Sequence, residues 1–262
     1  MELWKAIVLG ITQGLTEFLP VSSSGHLVII QAFLKIPEKI VVSFDIIVHL
    51  GTLIAVIAYF YQDILHLIRG LINREQKSIK LAWYLIVGTI PAIIFAVIAK
   101  DFLEKLFGQA SATGWQLIIN GLILLIADRL SGNRHIEDLN SKDATWIGIG
   151  QAIAIIPGIS RSGSTIAVGL GRKLSRQAAA RFSFLLSIPV ILGAGLLDFK
   201  RVLYGGYLQI GPLSFWVGLI SAALSGYLVI KYFIAFLHKG TLKGFGYYCL
   251  VIGGIAVVMF LK

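Results

Sequence analysis

Cysteine is almost missing from this chain: its 262 residues contain one, Cys249. A lone thiol excludes an intramolecular disulfide and a cysteine-based metal cluster. Set in an apolar run, Cys249 reads as a lipid-facing or packed side chain. Charge is scarce too, at 14% of residues, and acidic residues are the rarer sign, 13 Asp and Glu against 23 Lys and Arg. What remains is apolar. Hydrophobic residues make up 57% of the chain and the mean hydropathy is +0.85, too apolar for a soluble domain of ordinary composition. The net charge of +10 raises the question of nucleic acid. The basic residues, however, fall in short clusters between apolar runs and form no aromatic-interleaved patch, so no nucleic-acid partner is expected. The opening Met-Glu-Leu-Trp-Lys leads into an apolar stretch without a small-residue cleavage site, and is read as part of the protein, not as a removable signal peptide.

Six stretches, about 41–61, 80–100, 114–130, 181–198, 213–235 and 245–261, have the length and apolarity of membrane helices, for which about 20 residues cross roughly 30 Å of hydrocarbon. Two further regions, about 3–36 and 145–171, are apolar but interrupted, the first by Pro20 and Ser22-Ser23-Ser24-Gly25, the second by Pro157-Gly158 and Ser160-Arg161-Ser162-Gly163. Backbone without helical hydrogen bonds is tolerated at membrane depth only where it is buried in protein or lines a wet cavity. Each interrupted region is therefore predicted to be a re-entrant helix pair with its tip inside the bilayer.

The two regions also resemble each other. Gly10, Gln13, Ser22, Ser24, Gly25 and Phe44 recur at one constant offset as Gly148, Gln151, Ser160, Ser162, Gly163 and Phe182, while Pro20 and Pro157 are out of step by one. Three spans lie between the copies, and an odd number inverts the second relative to the first. The predicted fold is an all-α polytopic membrane protein: six transmembrane helices plus two re-entrant helix pairs in an inverted-topology repeat. Residues 1–262 form a single membrane domain, with 1–130 as the first repeat and 145–262 as the second. With these spans, fourteen Lys and Arg fall on one side and eight on the other, with Arg161 left in a break. The richer side is predicted to be cytoplasmic, with both termini outside.

The breaks carry the polar residues. Gln13 and Glu17, four apart, share a helix face, and a carboxylate in a membrane-buried stretch is costly enough to point to function. Ser22, Ser23 and Ser24 supply hydroxyls and free N–H groups at a helix start, which suits an anion such as phosphate; the same serines also serve as simple caps. His26, in the first turn, is a general acid or base, or a donor to a carbonyl. Arg161, flanked by Ser160, Ser162, Ser164 and Thr165, offers a fork matched to phosphate and would be very unfavourable in lipid without an anion. Together these residues describe a phosphate-ester or diphosphate site within lipid.

The stretches Gln13 to His26 and Pro157 to Thr165 resemble the bacitracin-resistance family of undecaprenyl-diphosphate phosphatases, whose motifs are similar to Glu/Gln-x-x-x-Glu and Pro-Gly-x-Ser-Arg-Ser-x-x-Thr; the stretch from Phe44 to Thr52 also looks family-like. The resemblance implies a bacterial inner-membrane enzyme that converts undecaprenyl diphosphate to undecaprenyl phosphate and inorganic phosphate. Such an enzyme recycles the carrier for peptidoglycan synthesis and confers bacitracin resistance. It also implies a polyprenyl diphosphate substrate, a site reached from the outer side and a divalent cation, Mg2+ or Ca2+; homodimerisation is left open. On this reading Ser23, His26, Glu17 and Arg161 are catalytic, and Gln13, Ser22, Ser24, Ser160, Ser162 and Thr165 bind substrate. Glu17 is the metal candidate. Because Gln13 stands where other members carry Glu, Glu17 would need substrate oxygens to complete a metal site. The nucleophile is Ser23 or His26. Asp45 and His49, one turn apart, read as structural.

A second lipid-phosphatase superfamily shares Ser-Gly-His and Ser-Arg elements. It is excluded here, since no Arg-Pro occurs and its later His and Asp positions fall on Ala167 and Gly171. A secondary transporter or lipid flippase with a midplane anion site is the remaining alternative. It needs only binding groups, whereas these breaks also offer nucleophiles and proton acceptors.

Overall fold

The computed structural model describes residues 1–106, 110–130, 132–201 and 210–260. Helix α1 (Leu3–Phe18) ends where Leu19 adopts an extended backbone, φ −67° and ψ 146°, the conformation forced on a residue that precedes proline. After Pro20 and Val21 the chain restarts as α2 (Ser23–Phe33). There follow α3 (Glu38–Tyr59), α4 (Tyr61–Ile72), α5 (Gln76–Ile98), α6 (Lys100–Leu106) and α7 (Ala110–Ala127), then α8 (Ser141–Ile153), α9 (Arg161–Gly171), α10 (Arg176–Arg201), α11 (Pro212–Phe236) and α12 (Lys243–Phe260). Among the described residues there is no β-strand, only an isolated bridge between Arg134 and Leu174.

This is a multi-pass membrane protein. Five helices are long and apolar enough to cross a bilayer, namely Ile40–Tyr59 within α3, α5, Arg176–Leu196 within α10, α11 and α12, and α7 contributes a shorter apolar run, Ala112–Ala127. Five of the six expected stretches coincide with these long helices, and the sixth, 114–130, with the shorter apolar run of α7. Between the first two spans the sequence reading left a connection, and the structure places α4 there. Its Leu65, Ile68 and Leu71 are exposed among polar neighbours, an amphipathic pattern that averaging over a span-length window conceals. Cys249 is fully buried, so of the two environments expected for it the packed one holds.

Many large apolar side chains face outward, Ile86, Ile93, Leu224 and Val251 among them, as they must where the solvent is lipid. Lipid supplies no hydrophobic drive for helices to associate, so close packing of small residues does. On α1, Gly10 and Gly14 lie against Gly218, Ser221, Ala222, Ser225 and Gly226 of α11; a Cβ on Gly14 would sit 2.0 Å from Ser225 Oγ. Gly114 and Gly121 of α7 meet Gly253 and Gly246 of α12 in the same way.

The two ends of the bundle are tied by polar contacts. At the start of α11, the Met1 amine donates to Ile210 O (2.9 Å) and Ser214 Oγ donates to Met1 O (2.7 Å). Beyond its finish, Arg176 donates to Gly240 O (2.8 Å) and to Asp128 Oδ1 (3.1 Å), and the same carboxylate accepts from Leu242 N (2.6 Å). Close by, the fully buried Asp143 receives Arg134 and Arg172, each at 2.7 Å. Burial alone would push the Asp143 carboxyl up; the two guanidiniums overcome that and hold it below the usual carboxylate range. Its contribution is complete above about pH 4 and drains away as pH falls through the lowered value of the folded state. Asp143→Asn removes the shared carboxylate from two guanidiniums that are each about a third exposed and, discounted for solvent screening, is expected to cost about 1–2 kcal/mol. Thermal melts of the detergent-solubilised variant at neutral pH should fall by several degrees, with a gap from the parent that narrows on acidification.

Candidate active site

Each break is built on a serine cap. At the first, Ser22 takes the left-handed region, φ 69°, and its hydroxyl accepts from Gly25 N (3.3 Å) while lying 3.3 Å from Ser24 Oγ. At the second, Gly158 turns the chain at φ 88°. Ser160 then caps α9 by accepting from Gly163 N (3.0 Å), with Ser162 Oγ 3.1 Å away. Capping is one of the two roles the serines carried in the sequence reading, and Ser22 and Ser160 both perform it. The tips touch: a Cβ on Gly25 would come within 3.2 Å of Gly158 Cα.

Residues from the two breaks bond directly. Arg161 Nη2 donates to Glu17 Oε1 at 2.6 Å, with the two side chains only 14% and 7% exposed. Arg161 Nη1 donates to Ser183 O (3.1 Å), and Thr165 Oγ1 donates to Arg161 O (2.8 Å) while meeting Ser183 Oγ (2.7 Å). The second carboxylate oxygen, Glu17 Oε2, accepts from Ser23 Oγ (2.6 Å) and from Gln13 Nε2 (3.0 Å). Ser162 Oγ donates to Leu19 O (2.9 Å). Asn120 of α7 bridges both tips, donating to Pro20 O (2.9 Å) and accepting from Ser160 N (3.0 Å). Phe18, next to Glu17, packs on Gly226, which places the cluster near the middle of α11.

Both nitrogens of His26 are engaged. A carbonyl can only accept, so Nδ1 carries a proton and donates to Ser22 O (2.8 Å); Nε2 lies 2.8 Å from Tyr248 OH, and the two rings stack at 5.6 Å. His49, read from sequence as structural, brings Nε2 to 3.8 Å from Glu17 Oε2. Its neighbour Asp45 accepts from Gln31 Nε2 at 2.5 Å.

Chemically, a serine hydroxyl at bonding distance from a carboxylate has the geometry in which a nucleophile could pass its proton to an acceptor. The adjacent guanidinium and two helix starts supply the positive field a phosphoryl group requires. Sequence reasoning missed Asn120, Tyr248 and Ser183. Asn120 did leave a signal, a lone amide in the apolar run Ile118-Ile119-Asn120-Gly121-Leu122. Tyr248 looks like any aromatic near a span end, and a serine such as Ser183 is too common within membrane helices to stand out.

Comparison with known proteins shows the family. The family model described as bacitracin resistance protein BacA matches residues 6–255. The chain is 43% identical over 260 residues to an undecaprenyl-diphosphatase of Halothermothrix orenii, covering 99% of this chain and 98% of that one. It is 43% identical over 262 residues to one of Carboxydothermus hydrogenoformans, with the same coverage, and 40% identical over 276 residues to one of Methanosphaera stadtmanae, again 99% and 98%. With the match running through both breaks and almost end to end, the chain belongs to the bacitracin resistance protein BacA family.

Proposed function

We infer that this chain is an undecaprenyl-diphosphate phosphatase, which releases the terminal phosphate and returns undecaprenyl phosphate to cell-wall synthesis. Full-length relatives that bear the name undecaprenyl-diphosphatase support this. The observation that carries it is the buried junction in which Glu17 holds Ser23 at 2.6 Å and Arg161 at 2.6 Å. Ser23 Oγ bonds to the terminal phosphorus as its proton passes to Glu17 Oε2, and the bond from phosphorus to the lipid phosphate oxygen breaks. Arg161 and the N–H groups at the starts of α2 and α9 hold the charge that develops. Water then cleaves the phosphoserine, giving inorganic phosphate and restoring the hydroxyl. His26 is the second acid or base of the site. Gln13, Ser22, Ser24, Ser160, Ser162 and Thr165 surround the bound head group.

A divalent cation fits as one shared with substrate. Gln13 Oε1 is a buried oxygen with no hydrogen-bond partner, and together with the Glu17 carboxylate it offers the hard oxygen ligands that Mg2+ and Ca2+ take. These two residues would hold the ion, which would neutralise phosphate charge. Among the described residues no group of three His, Cys, Asp or Glu forms a metal cage, and substrate oxygens would be needed to complete the ion's shell.

The finer architecture proposed is six spans, with α7 as the sixth, around two re-entrant pairs, α1–α2 and α8–α9, in an inverted repeat. The offset that carries Gln13 onto Gln151 also carries the starts of α1, α2 and α3 onto those of α8, α9 and α10. The pair α1–α2 enters from the end where Met1 is tied to α11, and α8–α9 from the opposite end, where Asp143 is held. The excess of basic residues at the Asp143 end supports a cytoplasmic position for that end, with the site open to the outer side of the cell membrane. Purified protein should release phosphate from a polyprenyl diphosphate, and a chelator should abolish the release. In sealed vesicles of defined orientation, substrate should be consumed from the outer face only. Substrate translocation without phosphate release would favour the transporter reading.

A further inference from the structure

We propose that Asn120 is a positioning residue for the reaction, a neutral clamp that keeps the two tips in register while substrate occupies the charged groups; this rests on the phosphatase reading. Asn120 is fully buried. One face of its planar amide donates from Nδ2 to Pro20 O (2.9 Å), and the other accepts at Oδ1 from Ser160 N (3.0 Å); Nδ2 also lies 3.4 Å from Cys249 Sγ. Pro20 stands three residues after Glu17 and three before Ser23, and Ser160 directly precedes Arg161. The amide therefore fixes the backbone that carries nucleophile and base relative to the backbone that carries the guanidinium. Only a side chain with a donor and an acceptor in one rigid plane meets both demands. A carboxylate offers acceptors alone, and a hydroxyl is too short to span the pair.

The reason such a clamp is required lies in the ion pair. In the free protein the tips are joined by Arg161 and Glu17 at 2.6 Å, but a diphosphate head competes for that guanidinium. The charged link weakens at the moment alignment matters. Among the described residues two neutral hydrogen-bonded links from tip to tip remain: Asn120, and Ser162 Oγ to Leu19 O at 2.9 Å. Of these, Ser162 lies among the groups that surround the head group, whereas Asn120 sits behind the tips on α7. A misplacement near 1 Å in such an alignment costs about 100-fold in rate.

The test uses full-length Asn120→Leu, close in shape but with neither donor nor acceptor, and Asn120→Ala, each purified alongside the parent. Steady-state phosphate release from a polyprenyl diphosphate is measured per mole of monodisperse protein. The expected result is a fall in kcat of about 100-fold in both variants with KM within about threefold of the parent. A kcat within threefold of the parent, or a raised KM at unchanged kcat, would overturn the proposal. So would failure of both variants to give monodisperse protein, since Asn120 would then serve folding. The parent separates the two readings: if it releases no phosphate, the phosphatase reading itself fails, whereas release by the parent with unaltered variants removes only the role of Asn120.

Discussion

Arg161→Lys is expected to lower phosphate release by at least two orders of magnitude even though the charge is kept. The guanidinium does two things at once, donating through Nη1 to Ser183 O and through Nη2 to Glu17. One branch anchors the side chain to α10, and the other is the branch that can turn to a phosphoryl oxygen. A lysine ammonium is a point charge without this planar fork, so it can hold an anchor or a phosphate, but not both in fixed geometry. Loss of a single preorganised donor to a developing oxyanion typically costs 100-fold or more. Steady-state kinetics on folded Arg161→Lys protein decides the matter, and retention of more than a tenth of parental kcat would show that charge alone suffices. Because Lys still balances Glu17, the comparison avoids the unpaired buried carboxylate that Arg161→Ala would create.

Ser23→Ala is expected to abolish turnover while leaving substrate binding in place. The hydroxyl removed is the one that donates to Glu17 Oε2 at 2.6 Å, and nothing at alanine can form the bond to phosphorus. Ser22→Ala removes the cap that accepts from Gly25 N and should cost about 1 kcal/mol of stability with a smaller effect on rate; Ser24→Ala should be milder still. Phosphate release and binding of a non-hydrolysable polyprenyl diphosphate analogue, measured side by side, separate these effects. Near-normal release by Ser23→Ala together with loss in His26→Ala would move the nucleophile to His26 or to an activated water. The geometry sets the expectation the other way, because Nδ1 of His26 is committed to Ser22 O and Nε2 faces Tyr248.

Much of the site was legible because its residues violate the local rule for a lipid-embedded helix. Glu17 and Arg161 stand out in apolar stretches, and Pro20 and Pro157-Gly158 interrupt them. His49 violates the same rule, yet it was assigned to structure, since its pairing with Asp45 at one helical turn offered a local explanation. In the folded chain its Nδ1 donates to the Asp45 carbonyl at 2.7 Å, and Nε2 turns towards Glu17 on another helix. For α4 the failure was of scale: twelve amphipathic residues are averaged into their neighbours by any window long enough to find a span.

By itself the sequence determined that lipid is the solvent of this chain, where its long apolar helices run, where prolines interrupt them, and which residue types stand at the breaks. All of these follow from composition and from periodicity within a few turns. Only the tertiary structure decided the partners. Glu17 and Arg161 are 144 positions apart, and Asn120 lies 100 positions from Pro20 and 40 from Ser160. Helical periodicity says which face a residue occupies, but not which helix that face will meet. That choice rests on the shape match of small-residue surfaces such as α1 against α11 and α7 against α12, a property of two surfaces at once that neither stretch of sequence holds alone.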